Sequence, residues 1–215
     1  MKKYFTLMIS LVLIFTITVS AFADANTTSE IKFDISPFEN SDNYTIEFDD
    51  MNDTGEITLI AEDGFAVVSI LDNDDGVVCG QLDVKIIENV PPVLRASLFY
   101  TGEDWIFTNN VIIKTSNARY TFEASRDTEV SRGKVWEYFT LVFTDESIQM
   151  LQDIVDSDDH FAKLRLNGSS RDVDGSILFK PELLKVILDD YRASGALDND
   201  FSLIRELCPC KIKQS

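Results

Sequence analysis

The segment 169–177, SSRDVDGSI, sets Asp172 and Asp174 two residues apart, with Gly175 and Ile177 close behind. Hard cations such as calcium take carboxylate and carbonyl oxygens. A helix–loop–helix calcium loop places them at positions 1, 3 and 5, with glycine at 6, a hydrophobe at 8 and a bidentate glutamate at 12. With Gly175 at position 6, Ser170, Asp172 and Asp174 fall at 1, 3 and 5, and Ile177 at 8. Position 12 is then Pro181, Glu182 comes one residue late, and FAKLRL ahead of the loop has the character of a strand. Alternation with period two explains the same residues. It puts Val173, Gly175, Ile177 and Phe179 on one face and Asp172, Asp174 and Ser176 on the other. The stretch is therefore read as a strand with one wet face. Weak calcium binding by acidic turns remains an expectation here, at Asp72 and Asp74 in DNDDG, and at 156–159.

Other chemistry is sparse. The single histidine, His160, is flanked by aspartate and followed by Phe161. A Ser-His-Asp triad also needs a nucleophile elbow, and no Gly-x-Ser-x-Gly occurs. With 37 acidic residues, carboxylate pairs for glycoside hydrolysis are always available, and Glu103-Asp104 beside Trp105 is the candidate. Cys208-Pro209-Cys210 has too few partners for a tetrahedral zinc site. In an oxidising compartment one of this pair and Cys79 can form a bridge, with the third thiol left over. Phosphate-cradling glycine loops, dinucleotide fingerprints and metalloprotease helices do not occur. Tyr100, Trp105, Trp136 and Tyr138 are the aromatic candidates for binding a sugar or a protein, with core packing as the alternative.

These residues must be positioned by a chain that begins MKKYFTLMISLVLIFTITVSAFA. Two lysines, an apolar run and Ala-Phe-Ala read as a secretory signal peptide over 1–23. No cysteine stands directly after the cleavage site to carry a lipid anchor and no second apolar span exists, so the mature chain is expected to be exported and off the membrane, and it is expected to be monomeric. Its net charge, −18 overall, becomes about −20 once Lys2 and Lys3 are removed. Such a body repels nucleic acid and anionic lipid and favours basic partners or cations.

Residues 30–124 read as strands joined by turns, with strands expected at 31–35, 44–48, 56–61, 65–71, 77–87, 93–100, 105–115 and 119–124. Asn-Asp-Thr-Gly, Asp-Gly and Asn-Asp-Asp-Gly supply the turn chemistry, and Pro91-Pro92 makes a stiff joint. Leu94, Ala96, Leu98 and Tyr100 share one face. A polar loop, 126–134, precedes a strand at 135–143 that is apolar enough to be covered on both faces. Thr144 is placed to cap a helix carrying Ile148, Leu151 and Val155 on one face. Strands follow at 160–166 and 173–179, with a turn at Asn167-Gly168. Pro181 opens a last helix with the stripe Leu184, Ile187, Leu188, Tyr191, and Gly195 ends it.

The series LRASLFYTGEDWIF, VIIKTSNARYTFEA, WEYFTLVF and HFAKLRLNGSSRDVDGSI followed by an amphipathic helix resembles a group of uncharacterised secreted bacterial proteins and lipoproteins. In these a Tyr-x-Gly-x-Asp-Trp-hydrophobic-Phe strand opens a β-rich module, and an Arg-x-x-Gly hairpin before a helix closes it. The matching positions are Tyr100, Gly102, Asp104, Trp105, Phe107, Arg165 and Gly168, and the resemblance spans residues 93–192. It implies a secreted β-rich module and no particular activity. With a bacterial source implied, the Asn-x-Ser/Thr sequons at Asn26, Asn43, Asn52 and Asn167 are read as chance.

The expected fold is α+β and mainly β: an antiparallel, sandwich-like domain with two helices in its C-terminal third. The parts are a β-rich segment 24–92, a module 93–196 that can form one domain with it, and a loosely held tail 197–215. The expected function is a non-enzymatic extracellular binding module for a protein or cell-wall component, without a cofactor. A secreted carboxylate-dependent hydrolase and a calcium-stabilised surface protein are the alternatives.

Overall fold

The computed structural model describes residues 31–62, 64–72, 76–124, 126–131, 133–158 and 160–214. The expected signal peptide and Asp74 lie outside the described residues. Residues 31–215 form one compact unit.

Twelve strands make the bulk of this unit: β1 Tyr44–Asp49, β2 Thr54–Leu59, β3 Val67–Leu71, β4 Val77–Ile87, β5 Val90–Gly102, β6 Thr108–Lys114, β7 Ala118–Glu123, β8 Arg126–Ser131, β9 Lys134–Phe143, β10 Phe161–Gly168, β11 Asp172–Phe179 and β12 Cys210–Gln214. All pair antiparallel, in the order β12-β7-β6-β10-β11-β3-β4-β5-β9-β8. The sheet forks at β4. Its first half pairs with β3 up to Gly80, and its second half, from Asp83, pairs with β2 and through it β1. Gly80 permits this close packing, because a Cβ there would sit 2.4 Å from Leu98 and 2.5 Å from the Ser97 carbonyl oxygen. The forked sheet curls until its two halves face each other, and Phe122 of β7 meets Phe143 of β9 edge to face at 5.7 Å. The fold is thus mainly β with a minority of helix, as expected.

Period-two alternation builds the core. Leu94, Ala96, Leu98 and Tyr100 of β5 point inward with Phe139, Leu141 and Phe143 of β9 and Val173, Ile177 and Phe179 of β11. Each such burial stabilises by roughly 1.5–3 kcal/mol before chain entropy is set against it. Helices α1 (Ser36–Glu39), α2 (Ile148–Asp156) and α3 (Pro181–Ala193) close the core. The α3 stripe Leu184, Ile187, Leu188, Tyr191 is buried as expected, and Gly195 ends the helix region at φ 74°. Tyr191 donates a 2.7 Å hydrogen bond to the Pro92 carbonyl, tying α3 to β5.

Several expectations are corrected. Residues 31–35 are not a strand; they lead into α1, where Pro37 in the first turn and the Asp34 carboxylate accepting the Ser36 N–H favour a helical start. Residues 105–107 are not strand either. The buried carboxylate of Glu137 accepts the N–H groups of Ile106, Phe107 and Thr108 at 2.7, 2.7 and 2.9 Å and holds Phe107 at φ 54°. The polar stretch after residue 125 forms the edge strand β8, whose exposure removed the apolar alternation that marks a strand. Pro91-Pro92 lie inside β5, so a boundary at 92/93 falls within a strand. Asn167-Gly168 belong to β10. β9 buries one face and leaves the other half-exposed. Thr144 makes a turn with Ser147, accepting its N–H, and α2 starts four residues after Thr144. The expected tail carries α4 (Ser202–Leu207) and then β12, which pairs with β7.

Candidate functional site

The aspartates of SSRDVDGSI point outward from β11 while Val173 and Ile177 are buried. Asp174 takes Arg165 Nε at 2.5 Å and Nη2 at 2.7 Å. Those hydrogen bonds hold its carboxyl below the ordinary aspartate range and raise the guanidinium. Asp172 accepts from Asn167 Nδ2 at 2.7 Å and from the Gly168 N–H at 3.3 Å. Both carboxylates are engaged in a strand–turn–strand hairpin, which has no entering helix. Asp72 is exposed at the end of β3. Among the described residues, no group of three or more His, Cys, Asp or Glu side chains is arranged to hold a metal ion.

The aromatic candidates separate. Tyr100 is fully buried; its hydroxyl donates to the Asp104 carbonyl and accepts from Arg171, both at 3.1 Å, so it anchors the 103–107 loop. Trp105 is half-buried and stacks on Phe107 at 5.3 Å, with Arg126 over the Phe107 ring at 5.1 Å. Glu103 and Asp104 beside it are exposed. His160 sits before β10 at φ 56°, its Nδ1 3.3 Å from the Ile154 carbonyl. Among the described residues no disulfide joins Cys79, Cys208 or Cys210, and burial pushes the Cys210 thiol up to about 12. A shallow cleft of about 230 Å³, unmarked by any motif, lies between Phe48, Asp49, Asp53, Ile86 and Glu88. Hydrogen bonds from Asn52 and Met51 hold Asp49 low there, opposite to what a general acid requires.

Trp136 belongs to a larger feature on the outward face of the sheet. Outward side chains of six neighbouring strands stand directly opposite one another: Tyr138 of β9, Phe99 of β5, Cys79 of β4, Val68 of β3, Leu178 of β11 and Phe161 of β10. At about 4.8 Å per strand this apolar row is roughly 24 Å long. Phe99 packs against Phe65 at 5.7 Å, Trp136 at 5.4 Å and Tyr138 at 6.4 Å, and Trp136 stacks on Tyr138. Burial, then the Glu129 carboxylate, raises the Tyr138 phenol. Next to the row, Ile70 is 64% exposed, and Phe161 is 38% exposed.

A second row on the same face is cationic. Ile70 of β3 stands opposite Ser176, which stands opposite Lys163 of β10. The row continues through Lys114 of β6 and Arg119 of β7 to Lys213 of β12. All four cations are exposed, and none is in a salt bridge among the described residues. Like charges directly opposite on adjacent strands repel. At about 5 Å in water the repulsion reaches roughly 0.8 kcal/mol per pair before salt screens it.

Comparison with protein-family models, curated protein sequences and solved structures yields no match. Neither row was visible in the sequence, because each strand contributes only one or two outward residues.

Proposed function

We propose that this chain is an exported, non-enzymatic binding module and that the outward face of the sheet receives an extracellular protein partner. One observation carries the reading: an apolar row in register across six strands whose members, apart from the buried Cys79, stay partly exposed among the described residues. A half-exposed aromatic cluster flanked by exposed aliphatics is the composition of an interface centre, where rigid rings bury large area at little entropic cost. The lysine-flanked apolar start of the sequence and the resemblance to secreted β-rich modules support export. The strongly acidic body repels nucleic acid and anionic membrane over most of its surface, and the cationic row is the local exception.

Photo-crosslinking in the producing cells tests this. A benzoylphenylalanine at Ile70 is expected to give a discrete protein adduct, and the same probe at exposed Glu47 on β1 none. Equal labelling at both positions, or none at Ile70, overturns the reading.

A further inference from the structure

We infer that the cationic row Lys163–Lys114–Arg119–Lys213 recognises an acidic polypeptide segment of the partner that covers the apolar row; the inference rests on the binding surface proposed above. Aligning these cations costs free energy. The chain holds 19 basic against 37 acidic residues, yet four of its cations are aligned where each repels the next. Edge protection accounts for lysines on β12, the last strand of the sheet. It does not account for Lys163 and Lys114, whose strands are paired on both sides.

Among the described residues the row also lacks counter-charges of its own. On the same face, Glu123 lies 3.7 Å from Lys211 and Asp174 pairs with Arg165. The row therefore offers four open cations over about 15 Å at strand spacing. A ligand with several carboxylates in sequence satisfies them and removes their mutual repulsion at once.

The continuity of the two rows favours a polypeptide over other anions. Phe161 and Lys163 are two residues apart on β10, both outward, and Ile70 begins the cationic row beside the apolar one. The face thus changes from aromatic through aliphatic to cationic, matching a segment that is apolar at one end and acidic at the other. An anionic lipid surface fits less well. Asp127 and Glu129 of β8 stand opposite Tyr138 and Trp136 at the aromatic end, and the sheet curls away from any plane.

Fluorescence anisotropy with fluorescein-labelled poly-L-glutamate of about 20 residues tests the row, using the full chain without its first 23 residues. Saturable binding is expected in 50 mM salt, weakening at least tenfold by 500 mM as the charges are screened. Lys114→Glu with Arg119→Glu is expected to weaken it at least tenfold, and Lys163→Ser with Lys213→Ser several-fold. Absence of binding, or unchanged binding by both double variants, overturns the inference. So does tenfold tighter, row-dependent binding to inorganic polyphosphate or to vesicles containing 30% phosphatidylglycerol. Failure here with a persisting Ile70 adduct removes the acidic segment and leaves the binding surface standing; loss of the adduct removes the surface itself.

Discussion

Two apolar patches on the same outward face of the β5–β9 pair meet opposite fates. At one end, Val93 and Val142 are covered by Phe201 and Ile204 of the α4 segment, which form a small second core. At the other end, Phe99, Trp136 and Tyr138 stay half-exposed, with none of the described helices laid over them. Between the two runs a polar divide. Arg95 Nε bonds Asp83 Oδ1 at 2.6 Å, Arg95 Nη2 bonds Glu56 at 3.0 Å, and Ser97 Oγ donates to Asp83 Oδ2 at 3.0 Å. Burial raises the Asp83 carboxyl, against the pull of Arg95. Outward apolar residues in this fold are therefore not all unfinished core. Where this fold requires cover, the chain returns to supply it, and the patch without cover is the one in register with further strands.

Substitutions at the covered patch, the divide and the bare patch have different expected effects. Phe201→Ala removes the main cover of the first patch, and a loss of about 4 kcal/mol is expected in urea unfolding, as for other buried Phe→Ala changes. A loss below about 1 kcal/mol would mean that α4 is not a core element. Asp83→Ala strikes the divide. It leaves Arg95 buried with Glu56 as its remaining partner, and about 3 kcal/mol is expected to be lost. Arg95→Met in the same background is expected to recover part of that loss, because it also removes the stranded charge. Ile70→Ser beside the bare patch is expected to shift stability by less than about 0.5 kcal/mol in the same assay. A shift above 1 kcal/mol would show that the row stabilises the isolated fold and is not a surface kept for a partner.

Much of the fold was legible along the chain. β4 was expected at its observed limits, and the α3 stripe and Gly195 stop were read correctly, because alternation, proline and glycine act through local sterics. The errors share one cause. β8 is an edge strand with a wet surface, so hydrophobicity could not mark it. The 105–107 segment is set by Glu137, thirty residues away, and β12 exists because β7 offers an edge. The acidic stretch SSRDVDGSI was correctly read as a wet strand face, since a one-residue change of register would bury its aspartates.

The β-rich class, the alternation of the core strands, helix α3 and the acidic balance all follow from side-chain type and spacing within a few residues. The order of strands was decided only by tertiary structure. Phe161 and Tyr138 share a row, and Lys114 and Lys213 share another, through pairings between strands distant in the chain. Period two assigns a residue to a face, but only the register between strands assigns it a neighbour, and the proposed binding surface consists of such neighbours.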